Sequence, residues 1–378
     1  MANSQPRYVY LDLARGIGSL CVVAWHVCGD GRISEFSFIN LHYLVVDFFF
    51  VLSGIVLFPG IQRVFQAPQS SRQDYKFLWQ RFLRLWPLTV AVLAVSLVVE
   101  IAVYLYEQTS GVAGPEPAFS VRPIWAWFFA LGFGQLTIWA SWVWSPPLWS
   151  LAALWWATVV TILGQRIRKF DVAWVCLATG ILLELMCFEF NGEAISQGQA
   201  YFGWIGFARA LVGFNAGLLI RKYLLSPGNG RSFPNFVYFA LLIPFTFLID
   251  SHFHEQTVIL APLIWLPLIL ALANLETSKL SRHTTNIITT IGKYSFPIFV
   301  WHVIVLRMCF YSQKIFGYKI DTDVFWGSLM LYLQVVLVTV LISALTMKFV
   351  EPRIVIVLER IGGKHLPFLR RKIDAQVL

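Results

Sequence analysis

Long apolar segments separated by short polar or basic ones run through almost the whole chain. Each is long enough to cross roughly 30 Å of hydrocarbon as a helix. They predict ten membrane-spanning helices, at about 11–28, 41–61, 85–106, 147–164, 172–190, 200–220, 235–250, 257–275, 287–310 and 324–350. The segment Ile124 to Trp139 is shorter and rich in Gly and Trp, which predicts an interfacial or re-entrant piece between the third and fourth spans.

Composition supports a polytopic membrane protein. Fifty-eight per cent of the 378 residues are hydrophobic and only 13% are charged, whereas about 25% is usual in soluble domains. We therefore expect one all-α transmembrane bundle over residues 1–378. No cleavable signal peptide is visible, so the first span is expected to remain in place. The five cysteines lie in or beside apolar segments without metal-type spacing, which predicts packing residues and no metal site.

The basic residues predict the orientation. With a cytoplasmic N-terminus, the inner loops and the tail hold most of the lysines and arginines, and the outer loops hold only Arg32, Arg122, Lys314 and Lys319. This asymmetry follows the positive-inside rule and predicts that both termini are cytoplasmic. A full span at 124–139 would place the basic clusters at 166–169 and 221–222 outside. The net charge of +9 thus reflects the topology of the chain and predicts no nucleic-acid partner. The basic tail from about 351 is predicted to lie along the inner leaflet.

The first predicted helix carries a polar stripe. Asp12, Arg15, Ser19 and His26 recur at helical spacing on one face, over about 21 Å. Asp47 opens the second apolar segment, which predicts a His26/Asp47 pair near the outer face and a buried Arg15 nearer the inner one. A neutral imidazole held by a carboxylate can serve as a general base. The alternative is an interhelical hydrogen bond without chemistry.

Arg81 and Arg84 lie in the predicted loop before the third span, three residues apart. Guanidinium groups at this spacing share a helix face and suit phosphate. Basic residues at a cytoplasmic helix end also contact lipid phosphates, so both interpretations stay open. The last helix is predicted to end on the inside at Glu351, which could pair with either arginine.

Three further residues carry predictions. Trp149 follows two prolines at the start of the fourth span and is predicted to be an interfacial anchor. Arg209 is an intramembrane cation that needs a partner, for which Asp12, Glu184 and Glu189 are candidates. His302 follows Pro297, a predicted kink, and could share a cavity with His26 or serve only in packing.

Together these segments resemble the membrane-bound acyltransferase 3 family, whose members O-acetylate cell-surface glycans and related acceptors. The opening stretch Leu11 to Ile17 with His26 resembles the family's first motif, and Asp47 to Gly54, including Ser53, resembles its second. The remaining landmarks follow in the family's order: Arg81-x-x-Arg84-x-x-Pro87, Leu148-Trp149-Ser150-Leu151, Arg209 with Phe214 and Gly217, Gly292 to Ser295 with Tyr294, Trp301-His302, and Glu351-Pro352.

The resemblance implies a cytoplasmic acyl-CoA donor, usually acetyl-CoA, and no permanently bound cofactor. By that resemblance Arg81 and Arg84 would hold the CoA phosphates, and Arg15 would line a pore. His26 and Asp47 would activate a hydroxyl of a polysaccharide, lipo-oligosaccharide or lipid-linked glycan at the outer face. The expected location is the inner or plasma membrane, with acyl-CoA, the glycan and the lipid bilayer as partners.

One departure from the family pattern bears on activity. The fourth motif usually continues with Ser, Val and Glu, whereas this chain has Ala152, Ala153 and Leu154. Two alternatives therefore accompany the enzyme hypothesis. One is a transporter that moves a small anion or lipid-linked sugar past the buried charges, and the other is a silent relative that binds a glycan synthase.

Overall fold

The structure, a computed structural model, describes residues 8–28, 42–66, 71–110, 124–134, 147–165, 171–190, 204–225, 260–275 and 280–365. These ranges contain eleven α-helices and one π-helical turn, and no strand. The all-α class is thus confirmed. The helices are α1 (Val9–Cys28), α2 (His42–Gln66), α3 (Ser71–Ser110), α4 (Ile124–Leu131), α5 (Leu148–Gly164), α6 (Val172–Phe190), α7 (Trp204–Tyr223), α8 (Ala261–Asn274), α9 (Arg282–Phe316), α10 (Phe325–Leu345), the π-helical turn Thr346–Val350, and α11 (Glu351–His365).

The predicted spans coincide with helices wherever the structure describes them. The span at 235–250 lies wholly outside the described residues, as do residue 41, residues 200–203 and residues 257–259 of three other predicted spans. Within the described part of the chain, four helical segments are long and apolar enough to cross a membrane: Leu44–Gln66, Arg72–Ser110, Arg282–Phe316 and Phe325–Gly362. The chain is therefore a membrane protein of helical architecture. The number of spans and the cytoplasmic location of the termini stay predictions.

The third helix begins earlier than predicted. α3 starts at Ser71, so Arg81 and Arg84 lie inside this helix and not in a loop before it. The stretch from Arg72 to Trp86 contains no Gly or Pro and is rich in Leu, Gln, Lys and Arg, which favour helices. The two arginines consequently share the surface of one rigid element.

The end of the last predicted span is also corrected. Helical structure does not stop at Glu351 but continues through the π-helical turn into α11. Pro352 is compatible with this continuation because proline is tolerated in the first turn of a helix. α11 packs beside α3, where Gly362 meets the ring of Trp79. Residues 366–378 of the predicted amphipathic tail lie outside the described residues.

Two pairs of parallel helices position the site. α1 packs most extensively against α9, and α2 against α7. Between α1 and α9, Arg15 contacts Gly292 and His26 contacts His302, so both helices run in the same direction.

Close approach of α2 and α7 depends on glycine. A methyl group added at Gly213 would lie 2.7 Å from Cβ of Phe50, and one at Gly54 would lie 2.9 Å from Cα of Gly217. Small residues let membrane helices approach to backbone contact. Because Arg209 is one turn before Gly213, the same crossing brings its side chain against α2.

The segment predicted to be interfacial or re-entrant begins with a short helix. α4 has eight residues, about 12 Å of helix, which is too little to cross the hydrocarbon. Its end is held by two tryptophans, since Trp86 Nε1 donates to the Leu131 carbonyl at 2.8 Å and Trp156 Nε1 donates to the Phe133 carbonyl at 2.9 Å. Residues 135–139 lie outside the described residues.

Candidate functional site

A cavity of about 150 Å³ lies between α1, α2, α3, α5 and α9. It brings together five residues that the sequence analysis selected from separate motifs: Arg15, Ser53, Arg81, Arg84 and Ser150. The cavity is therefore the place where the predicted donor site, the first helix and the start of the fourth motif meet.

One part of the cavity wall is strongly cationic. Arg15, Arg81, Arg84 and Lys293 contribute to the wall, and no acidic residue is among the described lining residues. Arg81 makes no hydrogen bond or ion pair within the described part of the chain, and its Nε is buried without a partner. A partly buried guanidinium with an unpartnered Nε beside the like charge of Arg84 favours an anionic ligand.

Arg15 and Arg84 are held by neighbouring groups. Arg15 Nη2 donates to the Gly292 carbonyl at 2.6 Å and pairs with Asp12 at 3.2 Å. Arg84 Nη1 lies 3.5 Å from Glu351 Oε1, which is one of the two predicted pairings. This pair is half exposed on the arginine side, so solvent weakens it and leaves Arg84 available to a stronger anion.

The end of the cavity near Phe49 and Phe299 is apolar. Its wall includes Val46, Phe50, Leu151 and Phe296, and the rings of Phe49 and Phe299 meet edge to face with centroids 5.5 Å apart. Leu154, which replaces the family's usual Glu, also lines the cavity. The departure from the family pattern thus makes the cavity wall more apolar.

A pair of histidines lies next to this apolar end. His302 is one turn of α9 beyond Phe299, and its ring is fully buried. His302 Nε2 is 3.3 Å from His26 Nδ1, and the two ring centroids are 4.8 Å apart. The interpretation that both histidines share one site is supported by this contact.

The predicted hydrogen bond between His26 and Asp47 is not found among the contacts of the described residues. Asp47 uses both carboxylate oxygens to bind Arg209, at 2.7 Å from Nη2 and 3.2 Å from Nε. Both side chains are almost fully buried. The physical reason is that the polar face of α1 turns towards α9, while Asp47 on α2 faces α7. The catalytic role proposed for Asp47 stays a prediction, and its direct partner is Arg209.

This pairing also answers the question left open for Arg209. Of its three predicted partners, Asp12 pairs with Arg15, and the side chain of Glu189 lies outside the described residues. Glu184 is buried near the Asp47–Arg209 pair, and its two carboxylate oxygens have no hydrogen-bond partner within the described ranges.

Trp149 does not occupy the predicted interfacial position. It is 6% exposed and packs between Phe50, at 6.2 Å between ring centroids, and the guanidinium of Arg209, at 5.5 Å. A cation held over an indole ring gains electrostatic stabilisation.

The Ser150 hydroxyl donates to the Pro147 carbonyl at 2.8 Å. Tyr294 packs against the apolar cluster formed by α1, α9 and α10, and it does not line the described cavity.

Two features were missed in the sequence. Lys293 lines the cavity beside the predicted arginines, and its place next to Gly292 in the matched motif could have drawn attention to it. Arg307 on α9 donates to Glu100 on α3, and both side chains are buried. Two opposite charges inside separate apolar segments were the available signal for this ion pair.

The arrangement combines an anion-attracting end, an apolar wall and a pair of imidazoles. A ligand with a charged head and an uncharged acyl part fits this order of environments. An imidazole beside the apolar end can take a proton from an attacking hydroxyl.

A comparison with known protein families identifies the family of the chain. A family model described as an acyltransferase domain matches residues 8–348, which is most of the chain. No curated protein and no solved structure is similar enough to be matched with it. The match begins just before α1 and ends in the π-helical turn, so it includes every residue of the cavity and both histidines. The chain belongs to the acyltransferase 3 family.

Proposed function

We propose that the protein is an acyl-CoA-dependent O-acyltransferase that moves an acetyl group to a hydroxyl of a cell-surface glycan at the outer face of the membrane. The observation that carries the proposal is the single cavity lined by Arg15, Arg81, Arg84 and Lys293, whose apolar end adjoins the His26–His302 pair. An acyltransferase that uses CoA needs both ends, whereas a transporter has no need of a phosphate site.

The two ends of the cavity take different parts in the proposed reaction. Arg81 and Arg84 hold the CoA phosphates, and the thioester reaches the apolar end beside Phe299. His26 removes the proton from the acceptor hydroxyl, whose oxygen forms a bond to the carbonyl carbon of the thioester. The C–S bond breaks, and the imidazolium returns the proton to the leaving sulfur, so that free CoA and an O-acyl ester result.

The donor site is tested with Arg81→Gln in bilayer nanodiscs, by titration with acetyl-CoA. Loss of a phosphate contact should weaken acetyl-CoA binding about 10- to 100-fold, since a hydrogen bond to a charged group contributes about 1.5–3 kcal/mol. Arg63→Gln is the matched control, because Arg63 is exposed and, among the described residues, bonds the carbonyl of Pro59 on its own helix. Equal affinities in both variants would remove Arg81 from the donor site.

Transfer itself is tested by mass spectrometry of surface glycans from cells that lack the protein, complemented with the parent chain or with His26→Ala at matched membrane levels. An acyl mass that returns only with the parent chain supports the enzyme. Glycans that are identical in all strains would contradict the proposed acceptor. Movement of a glycan across the membrane without acyl-CoA would favour the transporter.

A further inference from the structure

Two backbone carbonyls determine which ring nitrogen carries the proton in His26 and in His302. His302 Nδ1 lies 2.7 Å from the carbonyl oxygen of Phe299, and His26 Nδ1 lies 2.9 Å from that of Val22. A carbonyl oxygen can only accept, so each Nδ1 carries a proton and donates it. In the neutral rings, Nε2 of each histidine therefore bears a lone pair, an assignment made from the hydrogen-bond network.

This assignment determines which histidine donates and which accepts in the 3.3 Å contact. His26 Nδ1–H is shared between the Val22 carbonyl and Nε2 of His302, which accepts. A proton on Nε2 of His302 would face the proton on Nδ1 of His26, so His302 stays neutral. The ring of His302 cannot turn away easily, because it is fully buried and fixed by Phe299.

We propose that His302 is a positioning residue that orients His26 and stabilises its charged form during acyl transfer. The inference rests on the proposed function, in which His26 is the general base. When Nε2 of His26 takes the hydroxyl proton, the ring becomes an imidazolium and its Nδ1–H becomes a stronger donor. The lone pair of His302 Nε2 accepts this charge-assisted bond until the proton passes to the CoA sulfur.

The place of His302 in the fold supports this role. Phe299, whose carbonyl holds the His302 ring, lines the apolar end of the cavity. The same turn of α9 therefore contributes to the cavity wall and holds the ring that contacts His26. His302 takes the position that the sequence analysis assigned to Asp47, which is bound to Arg209.

Two substitutions separate positioning from packing. His302→Gln places an acceptor oxygen near the former Nε2, whereas His302→Asn places a donor near the former Nδ1 and leaves no acceptor for His26. Membrane vesicles from cells lacking the native protein are supplied with acetyl-CoA, and the release of CoA thiol is followed at matched protein levels. The proposal predicts that His302→Asn lowers kcat about 10- to 100-fold with little change in KM, and that His302→Gln restores most of it.

A structural role predicts the opposite order, because the bond to the Phe299 carbonyl survives only in His302→Asn. Equal or higher kcat in the Asn variant, or a change confined to KM, would overturn the proposal. His26→Ala distinguishes failure of the proposed function from failure of the role proposed for His302. If this variant keeps the parent kcat, the proposed function loses its base. If it is inactive while both His302 variants match the parent, the inference about His302 alone fails.

A measurement on the parent protein covers the case in which the variants do not fold. Solid-state nitrogen NMR of histidine-labelled protein in bilayers reports which ring nitrogens carry protons, with assignment by His26→Ala. Protonated Nδ1 and unprotonated Nε2 on both rings are expected. A proton on Nε2 of His302 in the resting protein would contradict the proposal.

Discussion

At the scale of single residues, the Asp47–Arg209 pair places two opposite charges in the interior of the bundle. Both charges are almost fully removed from solvent, and the guanidinium also lies over Trp149. Removing one partner of such a pair leaves an uncompensated charge in a medium of low dielectric constant, whereas removing both leaves none.

Arg209→Met should therefore lower the free energy of unfolding by about 3–5 kcal/mol. The double variant Asp47→Leu with Arg209→Met should recover much of this loss, since no isolated carboxylate remains. Thermal unfolding in detergent, followed for the parent, both single variants and the double variant, measures the coupling. Additive losses in the double variant would show that the two charges do not stabilise each other.

Phe49 is the residue at which the length of the acyl group can be tested. Its ring closes the apolar end of the cavity against Phe299. Phe49→Ala should increase the ratio of kcat/KM for butyryl-CoA over acetyl-CoA about tenfold, because extra methylenes gain roughly 1–3 kcal/mol in a pocket that admits them. Phe325→Ala, on an exposed ring outside the cavity, is the control. An unchanged ratio would place the acyl group elsewhere.

At the scale of helices, glycine determines which elements approach each other. Gly54, Gly213 and Gly217 allow α2 and α7 to meet at their backbones, within about two turns of the Asp47–Arg209 pair. Gly292 similarly admits Asp12 of α1, whose Cβ would lie 2.6 Å from an added methyl group. In both parallel helix pairs, glycine thus lets the helices approach closely enough for charged side chains to come together.

Gly213→Ala should destabilise the bundle by about 1–3 kcal/mol, because the added methyl meets the backbone-anchored Cβ of Phe50 at 2.7 Å. Gly164→Ala is a matched control, since among the described residues its methyl would meet the side chain of Val172, at 3.1 Å from the nearer methyl group. The midpoint of thermal unfolding in detergent should fall for the first variant and stay near the parent value for the second. Equal midpoints would mean that the α2–α7 crossing can relax.

The helices were predictable from sequence because apolar content is a local property of each segment. Their partners were not. His26 and Asp47 close and open neighbouring segments, and consecutive elements are usually adjacent in space, which made their pairing reasonable. The structure instead turns α1 towards α9, and Asp47 towards α7. Arg15, Arg81 and Arg84 were placed in one site because the resemblance joined motifs that periodicity alone could not connect.

At the scale of the whole molecule, the directions of the helices agree with the predicted topology. α1 and α9 are parallel, as are α2 and α7, which is expected if α4 does not cross the membrane. The cationic end of the cavity then lies on the same side as α11, where Arg84 meets Glu351. This arrangement would present the donor site to cytoplasmic acyl-CoA.

Sidedness can be measured with single cysteines in a background without the native ones. A cysteine at Lys319, in the turn after α9, should react with a membrane-impermeant maleimide on intact cells. A cysteine at Arg360 on α11 should react only after permeabilisation. Both positions are exposed in the fold, so access depends on the side of the membrane and not on burial. The reverse pattern would invert the proposed location of donor and acceptor.

The long separation between contacting residues has a consequence for how the protein is made. His26 and His302 are 276 positions apart, and Asp47 and Arg209 are 162 apart. At 5–20 residues per second, about 14–55 s separate the synthesis of His26 from that of His302. During that time Asp12, Arg15 and His26 must be sheltered by the insertion machinery or by the membrane surface. Nascent chains that stop before α9 therefore expose a charged helix without its partner, and they should be early targets of membrane proteases.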